Sequence, residues 1–416
     1  MITAVHGGLD APVNRIVSDL GEIELLPKVQ VSEVDLTTMY RIADGTLSPL
    51  TGPMNKDVYD MVLASKCIES QGAKYAWTIP IVLPATAEEA KKAVVGEKML
   101  LVTEGEMKPF GVITVGSCYE WDPKAFIKAV YLTEREDHPG AKLWLSETRP
   151  MLIGGDIEVV VFADTRSFKE YVMGPTQVRA LFEEKQYDFT IAFQTRNPLH
   201  RAHEYALVYG AETLLRQFDS MKVGVVLNPL VGQLKGDDVP ADARMKTYIR
   251  LIEEKHLGEG DADVELWNSK KQSLLDQTHL IGLDMRMYYG GPSEAVMHSI
   301  YRQNLGFTHF IVGRKHADAP YSDGTPIWGD FDAQEIFSNL GGDLKIKTVN
   351  VGFAAYFEEL GRVGLVAENK GKHSVSISGT KIREMLTNGE KPDSRVMREC
   401  TAEVLIEFYK SKATAE

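Results

Sequence analysis

At 416 residues, 44% hydrophobic and 25% charged, the chain has an ordinary globular composition and is too long for one core, so two or three domains are expected. Its 46 basic against 59 acidic residues give a net charge of −13, which argues against a broad nucleic-acid or anionic-membrane face. A small anionic ligand held by a few focused cations stays open.

The opening stretch MITAVHGGLDAPVNRIV has neither a basic n-region nor an apolar h-region, so it does not read as a signal peptide. No apolar run reaches membrane-span length. Cys67, Cys118 and Cys400 are scattered with no C-x-x-C pair, which supports neither a disulfide framework nor a cysteine zinc site; a reduced, cytoplasmic protein is expected.

In the first third, KYAWTIPIVLP (74–84), EKMLLVTEG (97–105), PFGVITVGSCYEW (109–121) and IEVVVFADT (157–165) are rich in β-branched and aromatic residues and read as strands. TAEEAKKAV, with Thr86 and Glu89 at capping-box spacing, and DPKAFIKAVY read as helices between them. Residues 1–169 are therefore expected to form a β-rich, barrel-like domain.

From about residue 170 strands and helices alternate. DFTIAF leads into the helix PLHRAHEYALVYGAETLLRQF, whose Ala202, Tyr205, Val208, Leu215 and Phe218 make one apolar stripe. KVGVVLN, ADARMKTYIRLIEEKH, SEAVMHSIYRQNLG and THFIVG continue the alternation. That pattern implies a parallel sheet over residues 170–328, with ligands beyond the strand carboxyl ends. Residues 329–416, with KIKTVNV, SISGTKIREMLTNG and a helical tail, read as a small C-terminal α/β domain.

The richest motif is IAFQTRNPLHRAHEYA (191–206), at a strand-to-helix turn. Asn197 is expected to cap the helix, with Pro198 at its first position. The helix start favours an anion, and His200 and His203, three apart, share its first turn. Gln194 and Arg196 sit where a second anion would lie beside the first, the arginine offering a permanently charged fork for tetrahedral oxyanions. Burying five such polar groups without a ligand would be costly.

Three further clusters carry weaker signals. FIVGRKHADAP (310–320) places Arg314, Lys315 and His316 after another strand, with Gly313 permitting close backbone approach; a solvated basic loop is an equal reading. In SISGTKIRE, Lys381 and Arg383 oppose the dipole of a helix opened by Ser378-Gly379-Thr380, which suits a phosphate but also an ordinary cap. LNPLVGQLKGDDV (227–239), with Gly232, Lys235 and Gly236, fits a phosphate-side lid and a surface loop alike. No G-x-x-x-x-G-K-[ST] and no G-x-G-x-x-G after a strand occurs, so neither a P-loop kinase nor dinucleotide redox chemistry is supported. An HxxH helix start followed later by ISGT points to nucleotidyl transfer.

QTRNPLHRAHE, GRKHADAP and ISGTKIRE, in this order, resemble the ATP sulfurylase (sulfate adenylyltransferase) family, and MRMYYGGPSEAVMHSIYRQNLGFTHFIVGR (285–314) resembles the approach to its second motif. The resemblance covers most of residues 170–390 and implies a PUA-like N-terminal domain before a Rossmann-like nucleotidylyltransferase domain. The implied reaction is ATP plus sulfate giving adenosine 5′-phosphosulfate and pyrophosphate, or its reverse, by in-line attack of sulfate on the α-phosphorus, with Mg²⁺ on the nucleotide. It implies Gln194, Arg196 and the Ala317 N–H at sulfate, and Thr195, Arg196, Asn197, His200 and His203 as the catalytic stretch. Gln194 to Asn197, His200, His203 and Gly313, Arg314, Lys315 and His316 would contact ATP.

Lys315 and Asp318 stand where the family often has G-R-D-H-A-G, and Asn228-Pro229 where it often has His-Pro; GRKHADAP looks like the branch of sulfur-oxidising and sulfate-reducing bacteria. No zinc, nucleic-acid or membrane partner is expected, and a homodimer is the default. The rival readings are another HxxH nucleotidylyltransferase with a different acceptor, and a non-catalytic PUA-type RNA-binding protein.

Overall fold

A computed structural model describes residues 2–218, 222–232, 238–375 and 378–415. The strands in chain order are β1 (Lys28–Val31), β2 (Cys67–Ser70), β3 (Ala73–Ala76), β4 (Pro84–Ala85), β5 (Lys98–Thr103), β6 (Pro109–Glu120) and β7 (Met151–Val159) in the first region. Then follow β8 (Phe189–Thr195), β9 (Val223–Pro229), β10 (Thr278–Leu280), β11 (His309–Val312), β12 (Lys347–Asn350), β13 (Ala354–Phe357), β14 (Arg362–Leu365) and β15 (Ser374–Val375).

In the first region five strands form one sheet in the order β1-β5-β6-β7-β4, with β2 and β3 as a separate hairpin. Thr86 and Glu89 close the expected capping box, and Asp122 caps the helix Pro123–Tyr131. The long strand expected over 74–84 is not one. Only its two ends pair, because the stretch between them is buried as irregular chain, with the Trp77 indole donating to the Ile79 carbonyl. The expected 157–165 strand begins earlier, at Met151, and its Gly154 and Gly155 lie opposite a bulge in β6, where Gly116 is the extra residue between Val115 and Ser117.

The second region is a parallel sheet in the order β10-β9-β8-β11-β12. Numbered within the sheet this is 3-2-1-4-5, so the order reverses between β8 and β11, where doubly wound folds leave a crevice at the strand carboxyl ends. KIKTVNV, expected in the C-terminal segment, supplies β12 of this sheet: its apolar Val349 and Val351 pack in the sheet's core. The C-terminal segment proper is the antiparallel trio β14-β13-β15 with helices Gly379–Thr387 and Glu399–Ala415.

Alternation along the parallel strands fills two layers. Ile191, Phe193, Val225, Leu227 and Ile311 pack on the side of helices Arg201–Gln217 and Ala241–Glu253. Ala192, Val226, Phe310 and Val312 pack on the other side, with helix Gly291–Asn304. Every residue of that helix is buried, since it lies between the parallel sheet and the N-terminal region and shares one continuous core with both. No helix among the described residues is long and apolar enough to cross a membrane.

Burial also sets an acid limit on stability. His6, His138 and His309 are buried and pushed down to about 4 by desolvation, so they are neutral in the fold but protonate near the ordinary value once unfolded. Their stabilisation is complete above pH 6.5 and is lost as pH falls toward 4, by up to about 3 kcal/mol for each. Thermal melts are expected to be flat from pH 7 to 8 and to drop steadily below 6.5; a flat profile to pH 4.5 would contradict this.

Candidate active site

The carboxyl ends of β8 and β11 open into a cleft of about 650 Å³. Gln194, Thr195, Arg196, Asn197, His200, His203, Gly313, Arg314, His316 and Ala317 all line it. Two motifs more than a hundred residues apart thus meet because β8 and β11 are neighbours in the sheet.

The turn after β8 is built differently from the expectation. Helix Arg201–Gln217 begins at Arg201 with His200 as its N-cap, not at Pro198 with Asn197 as cap. Asn197 is held in a tight turn by Thr195, whose hydroxyl accepts from the Asn197 N–H and donates to the Asn197 carbonyl. Tyr248 also donates to that carbonyl, at 2.7 Å, so it is not left to start a helix. The two histidine rings stack with centroids 3.7 Å apart. Gly210 seats the helix on the sheet, since a Cβ there would lie 2.4 Å from Ile311 Cδ1.

Desolvation holds both imidazoles neutral: His200 is pushed down to about 4, and His203 is driven well below the usual histidine range, with His200 adding to the effect. Three polar atoms on the cleft wall are buried without a hydrogen-bond partner: Gln194 Oε1, Arg196 Nη1 and His203 Nδ1. Such atoms are uncommon in folded proteins and mark a place where a ligand completes the bonding. Arg196 is steadied only lightly, by a 3.2 Å bond from Nη2 to the Asp318 carbonyl and by the Tyr289 ring 5.1 Å away.

The loop after β11 carries positive φ at Lys315 and Ala317, a conformation non-glycine residues adopt at some cost. Nothing lies within 4 Å of a Cβ built on Gly313, so the cleft beside that backbone is open to a ligand. Arg314 stacks on Phe353 at 3.4 Å and pairs with Asp330 at 3.0 Å. Lys315 does not line the cleft; it is exposed and lies 3.5 Å from Asp330.

Several other expectations move. Ser378 caps helix Gly379–Thr387 and lines the cleft with Ile382, whereas Lys381 and Arg383 are exposed and outside it. The plain cap reading holds for those two cations. Asn228 is fully buried and structural: its amide donates to the Ile281 carbonyl and accepts from Arg302 Nε at 2.9 Å. Lys235 and Gly236 fall outside the described residues.

Arg395 and the stretch Val351–Tyr356 line the cleft without having been singled out. Arg395 arrives from the C-terminal segment and is held by Asp393 and Glu358; no local spacing announces it.

Two charged residues inside the motif face away from the cleft. Arg201 pairs with the buried Asp261 at 2.6 Å, and its N–H donates to the Val396 carbonyl. Glu204, fully buried, meets Arg398 at 3.2 Å and accepts from the Gly258 N–H. These pairs fix the start of the histidine helix to the C-terminal segment. Arg398→Ala leaves Glu204 buried without its cation, and a loss of about 3 kcal/mol is expected in urea unfolding; a loss below 0.5 kcal/mol would contradict that anchoring.

The pattern of the ATP-sulfurylase family matches residues 169–408, and that of a PUA-like domain matches residues 11–161. A sulfate adenylyltransferase from Pyropia yezoensis is 64% identical over 413 residues, covering 99% of this chain and 98% of that protein. The chain belongs to the ATP-sulfurylase family.

A second sulfate adenylyltransferase, from Halothermothrix orenii, is 32% identical over 97% of this chain and 98% of its own length. Among solved structures, one titled hexameric APS kinase from Thiobacillus denitrificans superposes with a TM-score of 0.70, covering 98% of this chain and 68% of that one at 17% identity, a likeness of fold. The expected architecture, a PUA-like region before a Rossmann-like ATP-sulfurylase region, is therefore the one found.

The electrostatics of the cleft are unusual for this chain. Among the described residues its lining carries Arg196, Arg314, Arg395 and three histidines but no aspartate or glutamate, in a protein of net charge −13. No group of three His, Cys, Asp or Glu side chains able to hold a metal occurs among the described residues.

Proposed function

We propose that the chain is a sulfate adenylyltransferase, joining sulfate to the α-phosphorus of ATP to give adenosine 5′-phosphosulfate and pyrophosphate, or running the reverse. The observation that carries this reading is the cleft at the reversal point of the sheet, lined by arginine and histidine and by no carboxylate among the described residues, with Arg196 Nη1 and His203 Nδ1 unpartnered on its wall.

Sulfate is fully ionised at neutral pH, so the nucleophile needs no general base, and a lining without a carboxylate among the described residues suits that chemistry. The difficulty is holding two anions in line against their repulsion. Arg196, whose Nη1 is unpartnered, supplies a fixed positive charge to sulfate, assisted by Gln194 through its amide NH₂ and by the Ala317 N–H. His200 and His203, neutral in the free protein, meet the phosphates as N–H donors and gain affinity for a proton as that negative charge approaches. Thr195 and Asn197 keep the turn between the two groups rigid. Gly313, Arg314 and His316 border the nucleotide; Lys315, held toward Asp330, sets the loop instead of touching ATP.

Among the described residues the lining does not fit a resident metal ion. Mg²⁺ would enter on the phosphate oxygens of ATP, as part of the substrate.

Molybdate, a tetrahedral analogue of sulfate, should stimulate release of AMP from ATP by the purified protein, because the mixed anhydride it forms hydrolyses. A protein that ignores molybdate but transfers AMP to an organic phosphate acceptor would be a different nucleotidylyltransferase.

A further inference from the structure

Behind the loop after β11, two buried side chains and one half-buried at the cleft wall form a line that reaches the cleft from the fully buried helix Gly291–Asn304. His316, on the cleft wall, meets His298 through Nε2 to Nδ1 at 3.0 Å. His298 Nε2 lies 3.2 Å from Glu294 Oε1, within ion-pair range but out of line for a hydrogen bond, and both residues are 0% exposed. The Glu294 carboxyl is fixed in turn by the N–H groups of Tyr288 at 2.8 Å and Gly290 at 2.9 Å. A carboxylate, an imidazole and a second imidazole in series make an arrangement that orients a ring and stabilises a positive charge at its far end.

We propose that Glu294 and His298 are positioning residues that let His316 bind a proton when a polyanion enters the cleft, so that His316 becomes an added cation opposite the substrate. The proton comes from solvent and rests on His316, whose Nε2–H then donates to His298 Nδ1. Charging His316 draws the His298 Nε2–H into line with Glu294 Oε1, which it leaves unbonded without a ligand, and Nδ1 of His316 is the nitrogen not engaged in the chain. The inference rests on reading the cleft as the ATP and sulfate site.

Without a ligand the balance favours neutral rings. His298 and His316 are driven well below the usual histidine range, chiefly by burial, and burial pushes Glu294 up to about 7. The charged groups facing His316 are Arg302 and Glu294 on the buried helix and Arg196 on the turn after β8. The two arginines oppose its protonation and Glu294 favours it. The Arg302 guanidinium, itself fully buried, spends Nε on Asn228 and Nη1 on the His298 carbonyl. An arriving triphosphate screens the arginines and reverses the balance, while Glu294 remains as the buried counter-charge.

The test is ¹⁵N-histidine NMR on the full chain, with the His316 resonance assigned by His316→Gln, together with ATP calorimetry at pH 8 in buffers of different ionisation heat. Bound ATP should turn His316 into an imidazolium, with uptake of about one proton. In Glu294→Gln and His298→Gln the uptake should fall and the alkaline limb of kcat, which reports the ATP-bound state, should move down by about one pH unit; a merely structural role would lower activity at every pH alike. ATP that binds while His316 stays neutral overturns the relay alone. ATP that does not bind overturns the reading of the cleft and the relay with it. If neither variant folds, the wild-type spectrum decides.

Discussion

Arg196→Ala should lower sulfate-dependent turnover at least about 10³-fold, the scale expected when the main charged contact to a reacting anion is lost. Several observations place the effect there. Nη1 is buried and unpartnered, and Nη2 has only the Asp318 carbonyl. Among the described residues no carboxylate pairs with this arginine, whereas Arg314 and Arg395 on the same wall each have at least one. Truncation therefore removes charge from the cleft without stranding a buried partner, and the melting temperature should shift by no more than a few degrees. Affinity for ATP in the absence of sulfate should change less than turnover. Steady-state rates with a thermal melt check both halves, and a variant within tenfold of wild type would remove Arg196 from the sulfate site.

His203→Asn should cost about 10²-fold in kcat with a smaller change in the KM for ATP, since a donor that bonds more strongly to developing pyrophosphate charge acts in the transition state. The ring is buried, stacked at 3.7 Å on His200, and its Nδ1 is unpartnered. Because the two rings share one packing unit, the double variant with His200→Asn should lose less than the product of the single losses. A kcat within threefold of wild type, or strict multiplicativity of the two effects, would separate these residues from the phosphates.

What could be read in the sequence follows the range of the forces involved. The β8 and β11 motifs were legible because each is a local strand-to-turn pattern, and the alternation of elements around them implies the parallel sheet that makes them neighbours. The helix start was misplaced by three residues: Asn197-Pro198 is a good cap pair locally, but Thr195 and Tyr248 claim the Asn197 backbone first. Lys315, Lys381 and Arg383 looked like phosphate contacts from composition. The fold turns the first toward Asp330 and leaves the other two exposed on the helix that Ser378 caps.

The residues that escaped notice depend on distant packing. Arg395 reaches the cleft from the far end of the chain. Glu294 and His298 lie at i and i+4 in a helix buried on every side, so no amphipathic stripe distinguishes them from core. The signal that could have raised them is the density of polar residues in that helix, since buried polar groups must find partners. Likewise Arg201 and Glu204, written inside the motif, serve its outer side, tying the helix start to Asp261 and Arg398.

The most direct measurement of the central claim is exchange of labelled pyrophosphate into ATP by the purified chain, with and without sulfate. The account predicts exchange that requires sulfate and disappears in Arg196→Ala. Exchange that proceeds at the same rate without sulfate, or that never occurs with it, would contradict a cleft that holds the two anions side by side.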